Sequence, residues 1–347
     1  MPTPMPPAGT PYHRLTRRIP WWRTLLALAA VLIATQVAPI PATLLSLRLP
    51  PEGLPILGDL TPLVLSLVAI ACILPMTLLI VRVGEGRRIG TLAGVTGRLP
   101  RRLLALYGAL AAMCLAMVLV IGTTVMIAVA LTTAGPPEQS GTLTLDGIGE
   151  RLTVLPILLC LIVVQTGAEE VVTRGVILQA AGRLTRSPWP AIVVQAAVFT
   201  ALHGVGEVWG MVGVLVVGVA LGWITVRTGG LAAALAFHIV VNSLAALVAV
   251  VYGATSPTDN AATGSWPQAL ILAGAATGYA LLVNLLIRPL DVTTTVPNPQ
   301  TTLTRDPAPR QTGDTAQSVA LPHADHSHPS ASPSSESLHD QEAHTPS

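Results

Sequence analysis

Six polar side chains suited to chemistry stand inside or at the edge of long apolar runs: Glu169, Glu170, Arg174, His203, His238 and Asn242. Glu169 and Glu170 are the only acidic residues within any of the long hydrophobic segments. A carboxylate held in hydrocarbon costs at least ~3 kcal/mol, so adjacent ones mark a functional site rather than packing. Glu170 and Arg174 are four residues apart, share a helix face and can pair, which offsets part of the cost of burying each charge. Glu169 points about 100° away and lacks that partner unless an imidazole or a metal lies near. Such a carboxylate suits proton abstraction from water. His238 and Asn242 repeat the four-residue spacing, as do Phe199 and His203. The chain has no HExxH, no GxSG and no pair of intramembrane aspartates. Any hydrolysis therefore falls to the two glutamates and two histidines.

The elements that carry these residues are membrane helices. The 347 residues are 51% hydrophobic and only 10% charged, against about 25% charged in soluble domains. The sequence predicts an all-α, polytopic transmembrane bundle of about eight spans, near 22–46, 61–83, 103–133, 154–181, 188–204, 208–227, 230–252 and 267–288, each close to the ~20 residues a bilayer requires. The fifth is the shortest. The core of the chemistry lies in 151–252 (spans four to seven). Residues 21–150 hold spans one to three, and 253–290 holds the eighth. The Pro-rich, basic residues 1–20 and the Thr/Ser/Pro/His-rich residues 291–347 read as disordered, because neither can bury enough apolar surface to offset chain entropy. The tail's His323, Asp325, His326 and His328 read as a solvated polar stretch.

Arginine placement sets the expected orientation. Arg14, Arg17, Arg18 and Arg23 precede span one. Arg82, Arg87, Arg88, Arg98, Arg101 and Arg102 follow span two, Arg183 and Arg186 follow span four, Arg227 follows span six and Arg288 ends span eight. The alternate loops hold only Arg48 and Arg151. Both termini are expected in the cytoplasm of a cell-membrane protein. A net charge of +2 gives no footprint for nucleic acid. Cys72, Cys114 and Cys160 fall in apolar segments and read as small hydrophobes. Gly218 and Gly222 permit close helix packing, and Trp21, Trp22, Trp189, Trp209 and Trp266 sit where interfacial anchors belong.

EEVVTR (Glu169 to Arg174) resembles the EExxxR motif of the CAAX protease and bacteriocin-processing family, also known as type II CAAX prenyl proteases or abortive-infection-like proteins. FTALH (Phe199 to His203) resembles its FxxxH motif and HIVVN (His238 to Asn242) its HxxxN motif. The run Gly218 to Ser243 is similar to the family's stretch before its last motif. The resemblance covers about residues 150–250. It implies an α-helical intramembrane endopeptidase. In it Glu169 activates water with His203, Glu170 and Arg174 hold the site together, Phe199 supports it, and His238 with Asn242 stabilises the oxyanion. Two chemistries satisfy these motifs: a divalent metal such as Zn²⁺ held by Glu169, His203 and His238, and a metal-free, glutamate-activated water. The implied partners are the lipid bilayer and a peptide or protein substrate, including lipid-modified ones. Bacterial members of the family are linked to bacteriocin maturation and immunity.

Two rival readings use the same residues: a proton-coupled transporter, since buried Glu and His also serve as relays, and a catalytically silent scaffold or immunity protein. Geometry adds one condition. Glu169 and His238 lie ~18 Å and ~12 Å from the cytoplasmic ends of their spans at 1.5 Å per residue, whereas His203 falls near the far end of span five. A shared site requires span five to sit deep, or to end within the bilayer against a water-filled cavity.

Overall fold

The computed structural model describes residues 6–50, 53–132, 147–252 and 261–298. The His323–His328 stretch and almost all of the tail lie outside them. Among the described residues, eight helices make the membrane body: α1 (Trp21–Ser46), α2 (Thr61–Glu85), α3 (Arg101–Thr132), α4 (Ile148–Gly182), α5 (Trp189–Leu202), α6 (Val208–Thr228), α7 (Ala232–Tyr252) and α8 (Trp266–Leu286). Among the described residues there is no strand, only three isolated bridges. Apolar side chains such as Leu26, Ile33, Val120, Val125, Leu270 and Leu285 stay exposed around the outside, as a lipid-facing surface requires.

Seven of the helices are long and apolar enough to cross a membrane, and α5 is not among them. The bundle of about eight helices expected from the sequence is present, with the fifth, the shortest, below the length of a full crossing. Pro188 starts α5, and the sequence His203-Gly204-Val205-Gly206 stops it, with Gly204 in the left-handed region at φ +82°. Fourteen residues give about 21 Å of helix, against about 30 Å of hydrocarbon.

Loop contacts sort into two faces. On the first, Gly94 bridges Gly230 and Pro11 bridges Thr295. The Tyr12 hydroxyl donates to Leu92 O at 2.6 Å, and His13 Nε2 lies 3.3 Å from Arg186 O. On the second face Arg151 Nε donates to Val250 O at 2.9 Å and the Arg151 guanidinium pairs with Asp59 at 3.4 Å. There too, Gly206 and Gly210 pack directly on the backbone of Ala262. Among the described residues, the first face gathers arginine-rich segments and the second arginine-poor ones. The two ends of the membrane body share the arginine-rich face, so α5, short as it is, leads from one face toward the other.

The depth at which α5 stops follows from its packing. Gly218 and Gly222 of α6 admit it closely: a side chain at Gly218 would meet Ala196, and one at Gly222 would meet Gln195 and Ile192. From the Gly218–Ala196 crossing, α6 continues about 15 Å to Val208 while α5 continues about 9 Å to Leu202. His203 thus lies about one turn inside the end of α6.

The N-terminal stretch also departs from expectation. Residues expected to be disordered are packed, with Tyr12, His13, Leu15 and Thr16 buried among Leu178, Ala191, Ile192 and Leu231. Thr16 Oγ1 donates to Gln179 O at 2.7 Å. Burial pushes the Tyr12 phenol above its usual range and lowers His13 below its own. The beginning of the tail, through Val296, joins the same cluster. The reason lies in three apolar side chains among the polar ones, Tyr12, Leu15 and Val296, which fill the space between helix ends. Cys114 is buried, and Cys72 and Cys160 are exposed among apolar neighbours.

With the three native cysteines replaced by alanine, Pro11→Cys with Thr295→Cys should form a disulfide on mild oxidation, read as a mobility shift on non-reducing gels. No cross-link under any oxidant would refute the shared face. Gly218→Leu should overpack the α5–α6 crossing and lower stability by about 1–3 kcal/mol, measured by denaturant titration in micelles. A neutral effect would mean that the crossing is looser than described.

Candidate functional site

The site is built where α4 changes its winding. The helix is regular from Ile148 to Glu170, forms a π turn over Val171–Ile177 and resumes at Leu178. Single π turns inside α-helices frequently sit at functional sites. Thr173 and Arg174 lie within this one. Thr173 Oγ1 donates to Glu169 O at 2.6 Å and accepts from Arg174 Nη1 at 2.9 Å, so the side chains reinforce the backbone where its pattern changes.

Glu170 and Arg174 are both wholly buried, with Arg174 Nη1 donating to Glu170 Oε1 at 2.9 Å. This is the pairing expected from their spacing. The guanidinium also lies over the Phe199 ring, 4.4 Å from its centroid. Phe199 in turn meets His203 edge-on at 4.6 Å and His238 at 5.8 Å. One aromatic ring therefore touches the cation and both imidazoles, bringing α4, α5 and α7 together.

His238 of α7 lies between the glutamates. Its Nδ1 is 2.9 Å from Glu170 Oε1, and its Nε2 is 3.3 Å from Glu169 Oε2, a close contact that lacks hydrogen-bond geometry. An ionised carboxylate only accepts, so Nδ1 carries the hydrogen that faces Glu170. The glutamate left partnerless in the sequence reading thus has an imidazole beside it. The two differ in access: the Glu170 side chain is 0% exposed and that of Glu169 20%. Glu170 Oε2 and Arg174 Nε and Nη2 are buried without hydrogen-bond partners, a concentration of unsatisfied polar atoms that makes the site strongly polar within an apolar surround.

His203 caps α5 with its Nδ1 2.8 Å from Phe199 O. A carbonyl accepts, so this contact places the hydrogen on Nδ1 and leaves Nε2 as the acceptor. Asn242 Nδ2 donates to Gln165 Oε1 at 3.1 Å and Thr166 Oγ1 at 3.3 Å. Gln165 and Thr166 were not singled out from the sequence. Their signal was present: polar residues in an apolar run, one turn before Glu169 and Glu170.

The expected metal ligands were Glu169, His203 and His238. Among the described residues no three of His, Cys, Asp and Glu converge closely enough to hold a metal ion. Glu169 and His238 offer two converging donors, and a catalytic zinc takes three protein ligands. In this arrangement the residues do not fit a bound metal.

Residues 151–244 match the family described as type II CAAX prenyl endopeptidase Rce1-like. Every motif residue of the site lies inside that segment. Its likeness is to a CAAX-type membrane protease. The resemblance read from the motifs is borne out for this core, which is 94 residues long. The chain is also 35% identical over 86 residues to the uncharacterized protein YyaK of Bacillus subtilis (strain 168), a match that covers 23% of this chain and 29% of that relative. The match thus spans less than a third of the relative's length. No solved structure matches the chain.

Arg174→Met should leave the Glu170 carboxylate buried without its cation and cost about 3–5 kcal/mol, read as a loss of folded protein in detergent. Glu170→Gln in the Arg174→Met background should recover part of that loss by removing the orphaned charge. No recovery in the double variant would show that the two residues are not energetically coupled.

Proposed function

We propose that the protein is an intramembrane endopeptidase in which Glu169 activates the attacking water. The observation that carries this reading is the single imidazole of His238 set between two adjacent carboxylates, one sealed against Arg174 and the other partly open. A carboxylate that must accept a proton needs an approach for water, and the Glu169 side chain is 20% exposed. A carboxylate that must hold its neighbours in place needs rigidity, and Glu170 has that.

In this mechanism a water beside Glu169 attacks the scissile carbonyl carbon while its proton passes to the Glu169 carboxylate. His203 accepts a second hydrogen bond from the same water through Nε2. The tetrahedral oxyanion needs preorganised donors for its stabilisation. The proton held by Glu169 then passes to the leaving amine, and the C–N bond breaks. Asn242 enters differently from the family-based expectation. Its amide nitrogen donates to Gln165 and Thr166, so it fixes α7 on α4 and sets His238 one turn away. The side chains carry these steps by themselves.

The test is a comparison of peptide N-termini in native membranes from cells with the wild-type protein and cells with a stably inserted Glu169→Gln protein. Positioned general-base catalysis contributes about 10²–10⁴-fold, so termini produced by the enzyme should vanish in the variant. If none differs and Glu169→Gln supports whatever function deletion removes, the silent-scaffold reading replaces this one. Cleavage by the purified protein should survive EDTA and 1,10-phenanthroline. Loss on chelation with recovery on adding Zn²⁺ would show that His203 moves in to complete a metal site.

A further inference from the structure

A second buried charge pair adjoins the π turn of α4, contributed by a part of the chain outside residues 151–244. Gly86, in the left-handed region at φ +68°, ends α2 and turns the chain. Arg87 follows it and is 2% exposed, and its partner Glu85 is 1% exposed. A charge hidden this far from water must be paired and hydrogen-bonded. Two of the Arg87 bonds go to α4: Nη1 donates to Gln179 Oε1 at 2.6 Å, and Nη2 to Gly175 O at 3.4 Å. Gly175 lies within the π turn, one residue after Arg174, and Gln179 stands at the start of the helix that resumes beyond it.

The same stretch of α4 is held by the segment that follows Arg87. One turn of helix over Gly90–Ala93 packs against it. Gln179 Nε2 donates to Thr91 O at 3.0 Å, and a side chain at Gly175 would meet Leu92 Cδ2 at 3.1 Å. Tyr12 and Thr16 complete the cluster: the Tyr12 hydroxyl donates to Leu92 O, and Thr16 Oγ1 to Gln179 O. Tyr12 sits within electrostatic reach of Arg87, Glu170 and Arg174 together. The Arg87 hydrogen bonds go to Gln179, Gly175 and Thr91, none of which takes part in the catalytic steps. The Glu170–Arg174 pair fixes those two side chains to each other. It does not by itself fix the turn that carries them, and a π turn is a rare winding that needs contacts of its own.

We infer that Arg87 is a positioning residue for the site: it braces the π turn of α4, and through that turn it sets Glu170 and Arg174 and hence the orientation of His238. The role calls for a guanidinium. Its planar fork engages Glu85, the Gly175 carbonyl and the Gln179 amide at once, whereas an ammonium carries the same charge as a single point. The effect on catalysis rests on the protease reading above, whereas the effect on His238 does not.

Two variants and two readouts test this. Arg87→Lys keeps the charge opposite Glu85 and loses the fork. Glu85→Gln combined with Arg87→Met removes both charges, so that neither is left buried alone. Folding of each is checked by thermal unfolding in detergent. The first readout is NMR of protein enriched with the heavy nitrogen isotope in histidine, with the His238 signals identified by their loss in His238→Asn. Wild-type His238 should show its hydrogen held on Nδ1 by Glu170, and both variants should show it shared between the ring nitrogens. A wild-type His238 signal in a folded variant overturns the assignment, whatever the activity does. Loss of folded protein in both variants also overturns it, because the cluster would then hold the fold rather than the site. The second readout is cleavage of a peptide spanning a site whose new terminus vanishes in Glu169→Gln. There kcat should fall by roughly 10–100-fold with KM unchanged, since a misplacement of about 1 Å can cost ~10²-fold. A shifted His238 signal with wild-type kcat would overturn the catalytic consequence alone. The NMR readout requires no catalysis, so its outcome stands even if Glu169→Gln changes no peptide terminus.

Discussion

The arrangement depends on one ion pair held entirely out of water. Glu170 and Arg174 have no exposed surface, and removing either leaves a charge in a place where it cannot be solvated. The pair binds more than itself. Its carboxylate orients His238, its guanidinium covers Phe199, and Phe199 meets His203. Three helices from separate parts of the chain are thereby fixed to one turn of α4. The neighbouring Glu169 can then remain partly open without losing its position.

The features visible in the sequence were those that violate a local rule. Charges inside apolar runs stand out against their surroundings, so Glu169, Glu170, Arg174 and His238 could be picked out directly. The four-residue spacing of Glu170 and Arg174 gave their pairing. The arginine distribution sorted the loops into two sets, and loop contacts in the fold reproduce those sets. GxxxG in α6 indicated a close neighbour, which is α5.

What escaped the sequence reading depends on contacts between distant segments. Residues 6–20 have the composition of a disordered arm, yet Tyr12 and Leu15 find apolar partners supplied by α4, α5 and the loop before α7. Arg87 looked like one more cytoplasmic charge. Its burial depends on Gln179 and Gly175, about ninety residues away. The exact stop of α5 matters more than its hydropathy, and an apolar count ran it into the glycines that end it. The fit of a metal could not be judged from residue types, because three suitable ligands in the motifs need not converge in space.

The π turn of α4 has a consequence for how the two halves of that helix relate. A turn that takes in one extra residue advances everything beyond it by about 100° relative to a regular helix. Leu178, Gln179 and Gly182 consequently face the N-terminal segment and Arg87, while Gln165, Thr166 and Glu169 face α7. A regular α4 would serve one of these faces in register and turn the other away. The extra residue acts as a phase shift, letting one continuous helix present Gln165, Thr166 and Glu169 to α7 at one level and Leu178, Gln179 and Gly182 to the N-terminal segment at another.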